Sequence, residues 1–370
     1  MTLMTTLFKY RCTCGNTDLL RFNAATARCK HCDAAYPVSP TGVIRFNKET
    51  TEQNAYFDNL YRAGHAHARD KFQEDHTGAF NNSIERAEVY LKLAGFDVKH
   101  PIEHLSILDV ACGSGWVTAG LLQNKNVLNC RFHAFDISPD GPEMLARFTR
   151  SVKSSNRLEL SIQNAEAMTF GDATFDVIIG SSVLHHFDAF ESFLSDCRRI
   201  LKPGGVAIFG EPFAIGYGLG AAALLIAQRQ LGTHHELVEN FYKDITFRNK
   251  SPRELLRNLV DKHLFFQSTF VQLAQQIGFS SVNFIAPNPR ESCREHFIDE
   301  LLRERGISDG RLAELATNIY GIIFDVLDAD SFVHSMSPFM NVVLTKRSLS
   351  AWGLMRKGLS GLIQRIRNYS

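Results

Sequence analysis

The chain has 370 residues, 45% of them apolar and 21% charged, a balance that excludes fibrous and disordered classes and supplies core material for two folding units. Its net charge of +1 is unevenly spread: residues 1–49 hold seven Lys/Arg against three Asp/Glu, residues 346–370 hold six Lys/Arg and no acid, and the body between them is acidic. There is no N-terminal apolar segment with a cleavage site, and the most apolar run, IGYGLGAAALLIA from Ile215, is too short and too glycine-rich to cross a bilayer, so a cytoplasmic protein is expected.

Four of the eight cysteines stand in two tight pairs within CTCGNTDLLRFNAATARCKHC, Cys12/Cys14 and Cys29/Cys32. In a reducing compartment such pairs are more often metal ligands or redox groups than disulfides. TDLLRF and ATARC between them read as the strands of a hairpin, whose turns can bring four thiolates onto one tetrahedral Zn²⁺. In a segment too small for its own core, zinc would supply the folding free energy, about 10–16 kcal/mol in small zinc peptides. The first pair is C-x-C, tighter than the usual C-x-x-C, and His31 is a substitute ligand. Free thiols are the plainer alternative; a thioredoxin-like role lacks a βαβ pattern around the second pair. With the continuation AAYPVSPTGVIRFN, residues 8–47 resemble the zinc-ribbon module that precedes some bacterial methyltransferases and forms Trm112-like proteins. The resemblance implies a module that is structural or recruits partners and does no chemistry itself.

From residue 105 strand and helix signals alternate. SILDVA, CRFHAFD, LELSIQ, FDVIIG and GVAIFG are short apolar, β-branched or aromatic runs, and stretches such as AFESFLSDCRRILK between them have helical periodicity. The pattern predicts an α/β domain, a parallel sheet with helices on both faces, with ligands at the carboxyl ends of the strands. The first strand ends in DVACGSGW, where glycines let backbone N–H groups approach a ligand at a helix N-terminus. Thr118 stands where a dinucleotide fingerprint has Gly or Ala, which counts against NAD and FAD. Asp136 ends the second strand, where a carboxylate can accept both ribose hydroxyls.

LDVACGSGW, FDISP, QNAEAM, FDVIIGSSVLHHF and RRILKPGGVAIFGEPF together resemble, in order and spacing, the class I S-adenosylmethionine-dependent methyltransferases of the type with LHH after the fourth strand. The resemblance implies a Rossmann-like fold with a seven-stranded, mostly parallel sheet. By position it implies that Asp109, Ala111, Gly113 and Gly115 hold the methionine end of the cofactor and that Asp136 binds the ribose. Ile137 would pack on the adenine, Asn164 and Ala165 would edge it, and Ser181 would close the pocket. Asn164 stands where Asp is commoner, and Gly141-Pro142 interrupts the start of the helix after FDISP. His185, His186 and Glu211 fall at strand ends and are the candidate general bases; each histidine could instead cap the next helix or pack beneath the cofactor, and Glu211 could pair with a lid residue.

The expected organisation is a zinc ribbon over 1–49, a helical segment over 50–104 covering the cofactor, and a methyltransferase domain over 105–347. Helical insertions interrupt that domain at about 214–262 and 291–333, and a basic amphipathic tail follows over 348–370. The covering segment carries Tyr56, Phe57, Tyr61, His65 and His67; the first insertion contains a capping box, Ser251-Pro252-Arg253-Glu254. In the tail, Trp352, Met355, Leu359, Leu362 and Ile366 share one face, suited to a membrane surface or to docking on the protein itself. The expected reaction is methyl transfer to a small molecule, apolar or amphiphilic from the Phe and Leu content of the insertions, with oxygen as acceptor. The alternative is a ribosomal- or transfer-RNA methyltransferase; the acidic body without a Lys/Arg stripe makes nucleic acid the weaker expectation. A catalytically silent subunit is disfavoured by the intact Asp109, Gly113, Gly115 and Asp136.

Overall fold

The computed structural model of the chain describes residues 7–16, 20–22, 25–46, 83–233, 236, 240, 243, 263–286, 293–304, 306–326 and 336–347. Tyr56, Phe57, Tyr61, His65, His67, the capping box at Ser251 and the basic tail lie outside the described residues. The chain divides into two compact units, residues 1–181, 191–208 and 345–370 in the first and residues 182–190 and 209–344 in the second.

The first unit opens with β1 (Leu20–Phe22), β2 (Thr26–Cys29) and β3 (Ala35–Pro37), an antiparallel three-stranded sheet, followed by β4 (Ile44–Arg45). Helix α1 (Ser83–Leu93) leads to β5 (Ile102–Glu103), β6 (Ser106–Val110), α2 (Trp116–Gln123), β7 (Val127–Leu128) and β8 (Arg131–Asp136). Then come α3 (Asp140–Phe148), β9 (Arg157–Ile162), β10 (Phe175–Ser181), α4 (Phe190–Ile200) and β11 (Leu201–Pro212). Every residue of β6 and the last five of β8 are buried, as expected of strands covered on both faces. The strand order is β11-β10-β6-β8-β9-β4, and the pairings of β6 with β10 and β8, and of β9 with β8 and β4, are parallel. The chain thus progresses outward from β6 in one direction and resumes at β10 on its other side, so the carboxyl ends of β6 and β10 flank a topological switch point.

In the second unit the end of β11 runs into α5 (Ala214–Leu231), followed by α6 (Gln267–Ile277) and β12 (Ser281–Ile285). A π-helical turn, Arg294–Ile298, continues into α7 (Asp299–Glu304), then α8 (Gly310–Val326) and β13 (Phe339–Thr345). The strand order here is β12-β13-β11. The two expected insertions are helical where described and pack into one body: Ala221, Leu224 and Ala227 of α5 share a core with Phe297, Leu301, Leu312, Ala316 and Tyr320. Among the described residues, apolar side chains of the two insertions therefore pack on one another. Among the described residues no helix is long and apolar enough to cross a membrane.

Within the first unit the sheet takes up a strand that the sequence did not announce. The addition is β4, contributed by the cysteine-rich segment, which gives the edge of β9 a hydrogen-bonding partner where an edge strand would otherwise stand bare.

Candidate functional site

The glycine-rich loop is built from the end of β6 outward. Asp109 is buried there, and one of its carboxylate oxygens accepts both the backbone N–H (3.2 Å) and the hydroxyl (2.7 Å) of Thr118, so it satisfies a donor in the first turn of α2 that has no partner within the helix. Burial pushes the Asp109 carboxyl up to about 7, against the two Thr118 donations that favour its ionised form; the nearby Asp136 charge adds to the rise. Ala111 (φ 48°), Gly113 (φ 53°) and Gly115 (φ 81°) all take the left-handed conformation, which curls the loop tightly.

Asp136, buried at the end of β8, ties this loop to the next: one oxygen accepts the Gly113 N–H (2.8 Å) and the other the Ser138 N–H (2.9 Å). The interruption expected at Gly141-Pro142 does not occur, because α3 runs through both residues. Pro142 sits in the first turn, where the missing N–H has no intrahelical role, and Gly141 allows close approach: a Cβ there would lie 1.6 Å from the Gly113 carbonyl oxygen.

Beyond β9, the Gln163 N–H donates to the Asp136 carbonyl (3.0 Å) and the Asn164 side chain accepts the Glu166 N–H (2.9 Å), capping the single turn Ala165–Ala167. Ala165 is buried; Ile137 and Ser181, the latter at the end of β10, are half-buried. The nine residues expected to bind the cofactor thus all belong to the first unit and gather at the carboxyl ends of β6, β8, β9 and β10. Thr118, Gly141 and Gln163 join them as residues that shape the loops.

The candidate bases belong to the second unit. Glu211, fully buried, accepts four hydrogen bonds: from the N–H groups of Val183 (3.0 Å), Leu184 (2.8 Å) and His185 (3.3 Å) and from His185 Nδ1 (2.7 Å). Its charge therefore lies at the N-terminus of the single helical turn Leu184–His186, where unpaired N–H groups favour an anion. Because an ionised carboxylate only accepts, the His185 proton sits on Nδ1 and Nε2 carries the basic lone pair of the neutral ring. The geometry distinguishes two residues that the sequence left undivided: Glu211 accepts from the turn, and His185 is held by it through Nδ1. The half-buried His186 places its ring centroid 4.0 Å from that of His185. His263, on a segment whose N–H donates to the His185 carbonyl, lies 2.9 Å through Nε2 from the Phe187 carbonyl oxygen.

The four N-terminal cysteines converge, with all their Sγ atoms within 4.8 Å of one another and the Cys12–Cys32 and Cys14–Cys29 separations at 3.5 and 3.7 Å. Tetrahedral zinc–thiolate bonds of about 2.3 Å place sulfurs roughly 3.8 Å apart, so the donor set fits that ion. The short C-x-C pair is accommodated by a tight turn in which the Gly15 N–H donates to the Cys12 carbonyl (2.8 Å) with Gly15 at φ 88°. His31 is exposed and outside the cluster. Tyr36, which opens the Y-P-V run after the second cysteine pair, is buried with its hydroxyl 3.2 Å from Cys12 Sγ. Against the effect of its burial, the Cys14 N–H and the Tyr36 hydroxyl help lower Cys12 to about 6.

The chain is 29% identical over 157 residues to the ubiquinone biosynthesis O-methyltransferase of Methylocella silvestris, a match covering 42% of this chain and 57% of that protein. With the enzyme of the same name from Maricaulis maris it shares 31% identity over 155 residues, 39% and 58% of the respective chains. A segment of 134 residues, 36% of the chain, is 29% identical to 3% of the hybrid PKS-NRPS synthetase LUC5 of Fusarium. The chain therefore spans less than two thirds of the relatives it matches. Among solved structures, a Haemonchus contortus N-methyltransferase aligns with 71% of this chain and 52% of its own at 13% identity and a TM-score of 0.43. Residues 108–209, from the middle of β6 into the later part of β11, match the family described as a methyltransferase domain, and this stretch includes the glycine-rich loop and Asp136.

Proposed function

We propose that the protein is an S-adenosylmethionine-dependent methyltransferase that methylates a hydroxyl of a small molecule. The observation that carries this reading is the joining of the glycine-rich loop to Asp136 by the Gly113 N–H, at a switch point inside the segment that matches the methyltransferase domain. S-adenosylmethionine supplies an already activated methyl group on a sulfonium, so the protein has to bind, align and exclude water. Asp136 would take the ribose hydroxyls, Asp109 and the loop N–H groups the methionine end, and Asn164, Ala165 and Ile137 the adenine. His185, its Nδ1–H held by Glu211, would accept the proton of the acceptor hydroxyl. The names of the relatives favour oxygen as the acceptor atom.

Zinc held by Cys12, Cys14, Cys29 and Cys32 would be structural, with four protein ligands and no open position. About one zinc per chain is expected in the purified protein, and a Cys29→Ser/Cys32→Ser double variant should lose it.

The test uses labelled S-adenosylmethionine with panels of small phenols and quinols and with bulk RNA. Label in a small molecule supports the reading, and label in RNA would replace it with RNA modification. Calorimetry with S-adenosylhomocysteine should show Asp136→Ala weakening affinity by at least the value of one charge-assisted hydrogen bond, about 1.5–3 kcal/mol; unchanged affinity would sink the site assignment.

A further inference from the structure

The segment that carries Asn164 and Ala165 is gripped at both ends by backbone from the cysteine-rich module. At its entry, Ile44 and Arg45 pair with Ser161 and Ile162, and the Phe46 N–H donates to the Ile162 carbonyl at 2.9 Å. At its exit, Tyr10 bridges Phe170 in antiparallel fashion, the Arg11 N–H donates to the Thr169 carbonyl (2.6 Å), and the Gly171 N–H donates to the Lys9 carbonyl (2.8 Å). One grip therefore immediately precedes Cys12, and the other follows the module's three-stranded sheet. The chain between them, from Cys12 to Val43, contains the four converging thiols.

A hydrogen-bond chain with a buried centre at His133, Ser161 and Gln163 links the same two grips. Glu159 accepts the Tyr10 hydroxyl proton at 2.7 Å, so the Tyr10 oxygen must receive the proton of His133 Nδ1 at 3.1 Å. His133 Nε2 is then the acceptor for the Ser161 hydroxyl (2.9 Å), and the Ser161 oxygen accepts the Gln163 amide N–H (2.7 Å). The Gln163 carbonyl oxygen is left to accept the N–H and hydroxyl of Thr169, at 3.0 and 2.9 Å. One arrangement of protons thus satisfies every link, and a fully satisfied buried network rigidifies what it joins.

We infer that the four-thiol module is a metal-closed clip for the adenine-binding segment: zinc on the thiols fixes Lys9–Arg11 and Ile44–Phe46 relative to each other, and these arms hold residues 163–168 in the shape that binds cofactor. Tyr10 is a positioning residue in this clip and touches no reacting atom. The inference rests on the readings of the thiols as zinc ligands and of the chain as a cofactor-binding methyltransferase. It extends them by making zinc occupancy a determinant of cofactor affinity.

The full-length protein is compared zinc-loaded, stripped of zinc by chelation, and as a zinc-loaded Tyr10→Phe variant, by amide hydrogen exchange and by calorimetry with S-adenosylhomocysteine. Zinc removal should speed exchange across 163–171 by about tenfold or more while β6 and β8 stay protected, and should weaken S-adenosylhomocysteine about tenfold. Tyr10→Phe should retain zinc and weaken S-adenosylhomocysteine roughly threefold or more, as expected for loss of a hydrogen bond within a network. Exchange and affinity within about twofold of the loaded protein would overturn the clip, and so would loss of protection throughout β6 and β8, which would make zinc a global stabiliser. If the loaded wild-type protein binds no S-adenosylhomocysteine, the methyltransferase reading fails, and the exchange measurement still decides the clip.

Discussion

Thr118 directs both its backbone N–H and its hydroxyl at a single oxygen of Asp109, so the residue that departs from the dinucleotide fingerprint is the one that fastens the first helix turn to the strand end. Thr118→Val keeps the shape and removes the hydroxyl donor. A buried carboxylate that loses one donor should cost about 1–3 kcal/mol, read as a lower midpoint in denaturant unfolding at unchanged m-value. Stability equal to wild type would show that the hydroxyl adds nothing to the N–H.

The contact between α3 and the glycine-rich loop yields a steric prediction. A Cβ at Gly141 would overlap the Gly113 carbonyl oxygen at 1.6 Å, a backbone atom that cannot swing aside as a side chain can. Gly141→Ala must therefore displace the loop or the start of α3, a strain of about 1–3 kcal/mol or more. S-adenosylhomocysteine affinity should fall about tenfold or further, since 1.4 kcal/mol is a factor of ten. Full affinity in this variant would contradict the role given to the loop.

The parts of this arrangement that were legible in the sequence are those that depend on neighbouring residues. β6, β8 and β10 read as short apolar runs because strands covered on both faces have to be apolar, and the motifs that end β6, β8 and β9 locate Asp109, Gly113, Asp136 and Asn164 without knowledge of the packing. β4 was not legible, because two residues leave no periodicity; only its pairing with β9 makes it a strand. The link between Tyr10 and His133 spans 123 positions, and neither residue type announces a partner. Glu211 and His185 were recognisable as candidates, but their division of labour depends on three N–H groups lying against a carboxylate 26 to 28 residues away. Gly141-Pro142 looked like a helix break because the reason for the glycine, the Gly113 carbonyl, lies in another loop.

His133 makes a prediction about acid stability. Burial lowers its pKa from 6.5 to about 3, so between those values the unfolded chain binds a proton that the folded chain does not. The stabilisation from neutral, buried His133 is therefore complete above 6.5 and is lost as pH falls toward 3, at up to about 1.4 kcal/mol per pH unit. Asp109 acts in the opposite sense: its pKa, raised to about 7, makes the folded chain bind the extra proton, so wild-type stability alone does not isolate His133. The difference between wild type and His133→Asn removes the Asp109 contribution. That difference should shrink steadily from pH 6.5 to 4, and a gap independent of pH would show that His133 is not held neutral.

The last prediction separates the base from the group that holds it. In His185→Ala the Glu211 carboxylate still accepts the Val183 and Leu184 N–H groups, so the local turn should survive while the proton acceptor is gone. With a hydroxyl acceptor, kcat should fall by about 10²–10⁴, with S-adenosylhomocysteine affinity almost unchanged and the acidic limb of the pH–rate profile lost. Glu211→Gln is isosteric but turns an N–H₂ group toward backbone donors that need acceptors, so it should lower kcat and also destabilise the protein by about 1–3 kcal/mol through unsatisfied buried groups. His186→Ala should retain the acidic limb, because Glu211 holds His185 through Nδ1. If His185→Ala turns over near the wild-type rate with the true substrate, methyl transfer proceeds without this base; if His186→Ala alone loses the acidic limb, the proton passes to the neighbouring ring.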